Sequence, residues 1–472
     1  MRGSSASRLI STPWKIDPTL PAEEASNVMV KRRGGRSQSR FDHRHEELLS
    51  AAEAAALLGI KRTTLYTYVS RGLVRCVPEK GTKENRYVRV DLERLKVRHD
   101  ARAGHAAVAS GALRWGEPVI DSSVTRIDAR GVAYRGHLAV DLVAQGCSFE
   151  AVAELLWTGQ LPASQVRWPS PPLPFPASAL GALLPSETPP LRVLAAVVPL
   201  LGATDAVRFD ASPGQEWLRA RRLLRLMGGW VGVGHGLHRV SAALEQDSLS
   251  AGLAQAWGVA VRSAPALLDR ALVLCADHEL NVSTFAARVA ASSGADLYAC
   301  VSAALAALSG PRHGGSCDRI EALMRDVGRP ARAASVVHER LRRGESIPGF
   351  GHRLYPAGDP RTPPLLEVAW KVRPERAAVR VARAVAEAMR EEGHPPPTVD
   401  FGLVALAAAL GLPPGAATAL FAVGRAAGWV AHVWEQREQG HVLRPRARYV
   451  EAKKEGEGAS RPLTLGVNAR KD

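Results

Sequence analysis

The chain has little that would tie it to an oxidising compartment, a metal or a membrane. Its five cysteines, Cys76, Cys147, Cys275, Cys300 and Cys317, are scattered without a C-x-x-C pair. Neither a zinc site nor a disulfide framework is indicated, and a reducing cytoplasm fits. No uninterrupted apolar run reaches the roughly 18 residues that would suggest a membrane span. The N-terminus carries arginines but no continuous apolar leader, and Asp17, Glu23 and Glu24 argue against an organellar presequence. These absences lead us to expect a cytoplasmic protein with no metal and no membrane contact.

What is present is length and positive charge. At 472 residues the chain can bury a large core, and length alone suggests about two to four domains. The net charge of +16 is uneven. Residues 1–104 hold 21 Lys/Arg against 12 Asp/Glu, or +9, leaving 41 against 34, or +7, for the remaining 368. A polyanion such as DNA is therefore a plausible partner for the front of the chain, beside the plainer reading of a solvated basic surface.

Residues 1–45 are rich in Ser, Arg, Pro and Gly, include KRRGGRSQSR, and read as a disordered basic segment. Order begins near Glu46. Ser50 followed by Glu53 forms a capping box for AAEAAALLG, with Gly59 as a stop, and a second short helix runs from about Lys61 to Ser70. Then come a strand-like LVRCV, a charged turn at 79–85, a strand-like RYVRV, and Asp91 as the cap of DLERLK. This order over 46–104 resembles the winged helix-turn-helix of mercury-resistance-type regulators and phage excisionases. The resemblance implies a second helix that offers Arg62, Thr63, Tyr66 and Thr67 to the major groove, with Lys80, Lys83 and Arg86 on the wing at phosphates and Leu65, Val69 and Leu73 in the core. A docking or dimerisation module is the alternative.

From about Leu113 the chain changes character. Short β-type segments surround Gly131 and Gly136, a helix carries Phe149, Val152, Leu155 and Leu156, and a Pro-rich loop covers 168–190. Beyond it, Ala-rich segments such as 191–202, 216–228, 296–309, 375–392 and 415–436 have apolar residues at three- and four-residue spacing. A mainly α fold is expected over 113–450, followed by a polar tail at 451–472. Within it, His278, His313, His352 and Asp400 each sit in a segment marked by Gly, Pro or Asn, where helix ends and turns bring backbone N–H groups to a ligand.

Seven segments, SSVTRIDARGVAYRG, DHELNVSTFAARV, GPRHGGS, PGFGHRLY…DPR, TVDFG, GRAAGWVAHVWEQ and RPRARY, stand in the order and near the spacing found in citrate synthases. The resemblance covers about residues 113–450 and implies a two-part, all-helical domain that joins acetyl-CoA to oxaloacetate, with no permanently bound cofactor. Such chemistry needs a base for a weakly acidic C–H, a donor to the enolate oxygen, and a donor to polarise the ketone. The resemblance assigns these roles to Asp400, His313 and His352. It gives oxaloacetate to Arg361, Arg425 and His278, with Arg444 arriving from the second subunit of a homodimer, and it lays Ile347, Pro348, Gly349, Phe350 and Gly351 against the adenine of coenzyme A. Arg446 and Arg448 are further candidates for its phosphates. Cys275 stands where relatives often have another histidine, and Pro356 where many have a lysine. His137, His235, His238 and His432 read as ordinary core or surface groups, and Trp429 and Val433 as helix core. Two other functions fit the same residues: a 2-methylcitrate synthase using propionyl-CoA, and a DNA-binding regulator whose synthase-like part senses oxaloacetate or acyl-CoA.

Overall fold

A computed structural model describes residues 48–70, 73–79, 85–92, 95 and 120–445. The segment 1–45, the wing residues Lys80 and Lys83, Arg446, Arg448 and the tail 451–472 lie outside the described residues. The chain divides into two compact units, residues 1–118 and 119–472.

In the first unit, helix Ala51–Leu58 starts at the capping box: Ser50 Oγ accepts from Glu53 N, and Glu53 Oε2 accepts from Ser50 N. Gly59, at φ 64°, ends it in the left-handed conformation. Helix Arg62–Ser70 follows. Strand Asn85–Val88 lies between Leu48–Leu49 and Cys76–Pro78 in an antiparallel sheet. The strand at 48–49 was not expected, because two residues carry no alternation. Ala54, Leu58, Leu65, Val74, Tyr87 and Leu92 form the core. Val69 packs against it, but Leu73 is 41 % exposed, so that expectation fails: Val74, the next residue, turns inward instead. Asp91 does not cap a helix either. The helical turn already begins at Arg89, and the Asp91 carboxylate holds Arg75 through Nε and Nη2 at 2.8 and 3.1 Å.

The second unit opens with an antiparallel sheet, Thr125–Asp128, Gly131–Tyr134 and His137–Leu138, turning at Gly131 and Gly136. The Pro-rich stretch contains a short helix, Ala177–Gly181. The remaining helices form two groups over one continuous core. In the first, Phe149–Thr158, Pro190–Thr204, Pro213–Trp230, Ala264–Cys275, Val282–Ser292 and Leu297–Leu308 surround the 24-residue helix Ala416–Gln439. In the second, Gly315–Val327, Ala333–Arg342, Thr362–Val372, Ala377–Glu391 and Val399–Leu410 pack on one another. Helix Ala416–Gln439 is long and apolar enough to cross a bilayer, yet 94 % of its most apolar window is buried in the protein, as befits a core helix.

Close backbone approach fixes the register of that helix. A Cβ on Gly428 would lie 2.6 Å from the Ala276 carbonyl, which instead accepts from Gly428 N at 2.9 Å. The chain leaving helix Ala264–Cys275 is thus pressed onto the central helix, beside Arg425.

Candidate active site

The candidate residues come from five places at the junction of the two helix groups. His278 lies between helices Ala264–Cys275 and Val282–Ser292, and His313 directly before Gly315–Val327. His352 lies in the loop before Thr362–Val372, Arg361 caps that helix, Asp400 is in the first turn of Val399–Leu410, and Arg425 is midway along Ala416–Gln439.

Two buried arginines set the electrostatics. Arg361, 2 % exposed, holds Asp359 in a fork, with Nε and Nη2 donating at 2.9 and 2.7 Å. Arg425, 1 % exposed, donates from Nε to the Cys275 carbonyl at 2.8 Å and stacks over Phe421 at 4.5 Å. Each leaves its Nη1 without a partner among the described residues. A buried charged donor left unmade costs several kcal/mol, so two such donors in one region point to an anionic ligand that supplies the acceptors. Burial lowers the basicity of Arg425, while Asp277 opposes the shift and Arg361 adds to it. Cys275 contributes its carbonyl; burial pushes its thiol up to about 12, so it is neutral.

Three rings meet beside the arginines. His278 and His352 are 5.6 Å apart edge to face, and Tyr355 packs on both. His278 Nε2 and the Tyr355 hydroxyl are hydrogen-bonded at 3.0 Å. Burial, then Arg361, Arg425 and His352, hold His278 well below the usual histidine range. The Leu354 amide donates to His352 Nδ1 at 3.1 Å, so a neutral ring carries its proton on Nε2. Burial also lowers His352, partly offset by Asp359.

Asp400 and His313 line one cleft together with Gly314, Cys317, Thr418 and Phe421. Gly314 has no substitute there: a Cβ would sit 2.4 Å from the Leu308 carbonyl. Burial lowers His313 to about 4, with Arg425 adding to the shift, which makes it a neutral imidazole near pH 7. Its Nε2 lies 2.9 Å from Ser283 Oγ, which also accepts from Trp429 Nε1 and has Asn281 Oδ1 as a second acceptor in reach. When the Ser283 proton turns to His313, the ring's own proton sits on Nδ1. Burial raises Asp400, and Arg361 opposes the shift. Its two oxygens receive one donor each, Cys317 Sγ at 3.7 Å and Thr398 Oγ1 at 3.4 Å.

The loop 347–351 is stitched to the segment before Asp400. Thr398 N donates to the Gly349 carbonyl at 2.9 Å, Gly351 N donates to Pro396 at 3.0 Å, and Phe350 bridges to Pro397. Ile347 is buried and Pro348 partly so. Arg444 stands apart: it is exposed, and the neighbouring Leu443 N donates to Ser292 Oγ, at the end of helix Val282–Ser292 opposite Ser283. His137, His235 and His238 are exposed; His432 is fully buried between Asp277 and Arg288. Sequence reasoning missed Ser283, Cys317, Tyr355 and Asp359. All but Cys317 carried a signal, lying in DHELNVSTFAARV, HRLY and DPR.

In the first unit, Arg62, Thr63, Tyr66 and Thr67 are all exposed on helix Arg62–Ser70, and Arg86 pairs with Glu79 at 2.8 Å.

Residues 112–446 match the family model of the citrate synthase C-terminal domain. The chain belongs to the citrate synthase family. Residues 48–96 match a helix-turn-helix domain. The chain is 31 % identical over 340 residues to citrate synthase of Mycolicibacterium smegmatis, covering 68 % of this chain and 89 % of that one. It is 32 % identical over 336 residues to 2-methylcitrate synthase of Mycobacterium tuberculosis H37Rv, covering 67 % and 84 %. Among solved structures, citrate synthase from Thermoplasma acidophilum, in a ternary complex with carboxymethyl coenzyme A and oxaloacetate, superposes with a TM-score of 0.62 at 27 % identity, covering 74 % of this chain and 97 % of that one. The fold is that of a condensing acyltransferase.

Proposed function

We propose that the protein condenses acetyl-CoA with oxaloacetate to give citrate and coenzyme A. The paired orphan donors of Arg361 and Arg425 carry this reading, because they require a buried anion with carboxylate-like acceptors. Asp400 takes a proton from the acyl methyl, and His313 donates to the enolate oxygen. The nucleophilic carbon attacks the keto carbon of oxaloacetate, and His352, protonated at Nε2, gives that proton to the new alkoxide. Water then cleaves the thioester, releasing coenzyme A. Loop 347–351 lies against its adenine.

The test is thiol release by the purified full-length protein, with oxaloacetate and either acetyl-CoA or propionyl-CoA. Asp400→Ala lowers kcat by about 10²–10⁴-fold while leaving calorimetric oxaloacetate binding intact; unchanged turnover removes Asp400 from the mechanism. Phe421, Thr418 and Cys317 line the cleft beside Asp400, where the acyl group would lie. One methylene in an apolar pocket is worth about 1–3 kcal/mol, so a kcat/KM roughly 10-fold or more higher with propionyl-CoA would favour 2-methylcitrate synthesis.

The active unit is a homodimer in which Arg444 completes the partner's site. Arg444 follows the anchor at Ser292, about 13 Å along the helix from Ser283 at 1.5 Å per residue. Exposed Val282 and Val289 on that helix, with Val442 beside its end, give a second copy an apolar face. Mixing inactive Asp400→Ala with inactive Arg444→Leu restores about one quarter of parental activity, because half the dimers are mixed and half their sites intact. No recovery means that Arg444 acts within its own chain.

The exposed face of helix Arg62–Ser70 favours DNA as the partner of the first unit. Gel shifts of genomic fragments that weaken steeply between about 50 and 200 mM salt support it. If no fragment shifts, the unit is a docking module.

A further inference from the structure

Asp400 meets an uncommon donor. Cys317 lies in the first turn of helix Gly315–Val327, 2 % exposed, and its Sγ is 3.7 Å from Asp400 Oδ1. Thr398 covers the other oxygen. The thiol lines the same cleft as His313 and Phe421, so it is not a remote packing group. We propose that Cys317 is a positioning residue for the condensation, holding the Asp400 carboxylate in place with a donor weak enough to leave it strongly basic. This rests on the reading of Asp400 as the base.

The chemistry follows from the donor's strength. An S–H is a weak donor and a hydroxyl a strong one, and a hydrogen bond to the charged form of a carboxylate lowers its pKa. A base that must remove a proton from carbon gains from every increment of basicity it keeps, up to the working pH. Burial and the charge of Asp400 push the Cys317 thiol well up, so it remains a donor rather than a competing anion; Glu321 and Asp318 act in the same sense. The other charged or titratable groups facing Asp400 are Arg361, Asp359 and His352 from the loop and Cys275 from the first helix group. None of them touches Oδ1 by hydrogen bond, so the thiol is the group whose replacement changes that oxygen alone.

Two conservative variants of the full-length protein test this by opposite signs. In Cys317→Ser, the stronger donor moves the acid limb of kcat/KM for the acyl-CoA down by about half a pH unit or more and lowers kcat severalfold. In Cys317→Ala, loss of the donor moves that limb up, and kcat falls because the carboxylate is no longer held. KM for oxaloacetate stays at the parental value in both, since the arginines are untouched. Thermal unfolding of each variant identifies any that fails to fold; for such a variant, the S–H stretching band of the parent, compared with that of Asp400→Asn, replaces the kinetic arm and must shift when the carboxylate is lost. Limbs that stay put, or move in the same direction in both variants, overturn the proposal, as does an unshifted band. If Asp400→Ala itself retains turnover, the base assignment has failed; if it is inactive and the Cys317 variants keep the parental profile, only the role of Cys317 has.

Discussion

Arg288 and Arg425 are both fully buried, yet one is finished and the other is not. Arg288 spends every nitrogen within the protein: Nε on Gln436, Nη1 on Glu435 and His432, Nη2 on Gln439. Glu435 is in turn held by the amide and hydroxyl of Ser123. Arg425 has one carbonyl, and its Nη1 has no partner, as does that of Arg361. Burial and residue type are the same, so neither separates a structural arginine from a candidate ligand-binding one. Unmade bonds do so only where they gather: buried Arg225 also leaves its Nε unmade, but beside the Leu244 and Gln246 carbonyls, whereas Arg361 and Arg425 leave theirs beside the site histidines.

That contrast can be broken in three ways. The largest effect is expected at the finished site: Arg288→Met leaves Glu435 as a buried charge without its cation and costs about 3–5 kcal/mol of stability in denaturant unfolding, with KM for oxaloacetate unchanged in the folded fraction. A loss below about 1 kcal/mol would mean that the network adds little. Arg425→Leu should do the reverse, raising KM for oxaloacetate about 100-fold while the midpoint of unfolding holds or rises. In the parent, oxaloacetate at 100 times its Kd adds about 2.7 kcal/mol of stability, which a 100-fold weaker Kd in Arg425→Leu cuts to about 0.4 kcal/mol at the same concentration; a variant that keeps the parental increment would relocate the anion site.

The smallest effect sharpens the contrast through pH. His313 titrates at about 4 when folded against an ordinary 6.5. Between those values the unfolded chain binds the extra proton, so its contribution to stability is complete above pH 6.5 and is lost as pH falls toward 4. His278 and His352, also lowered, act in the same sense, while the raised Asp400 opposes them. His313→Asn should flatten the decline of melting temperature over that window. An unaltered slope would mean that the ring is not held neutral.

Much of the candidate site's placement was legible because its residues sit where the sequence changes texture. His313 before two glycines, Arg361 after Asp-Pro, and Asp400 after Pro-Pro-Thr-Val all mark helix starts, and the fold puts them there. Arg425 had no such mark: it lies mid-helix among alanines and glycines, and only the family resemblance singled it out. What the sequence did not reveal were partners far apart in the chain. Ser283 meets Trp429, Cys317 meets Asp400, and Arg288 meets Glu435, contacts between residues that no local pattern links. In the first unit, Leu73 and Val74 are adjacent apolar residues after a turn, and periodicity over two residues cannot say which faces in.

One feature of the cleft bears on how its two substrates communicate. The pairing of residues 349–351 with 396–398 makes a short two-stranded clasp, and Asp400 hangs two residues from its end. A clasp of this kind moves as one piece or opens. The glycines at 349 and 351, at φ 88° and 78°, set the loop's path rather than loosening it from its partner strand. On the proposed reading, in which coenzyme A lies on the loop and Asp400 is the base, the nucleotide end of a long thioester and the proton at its far end would be gripped by opposite ends of the same lever.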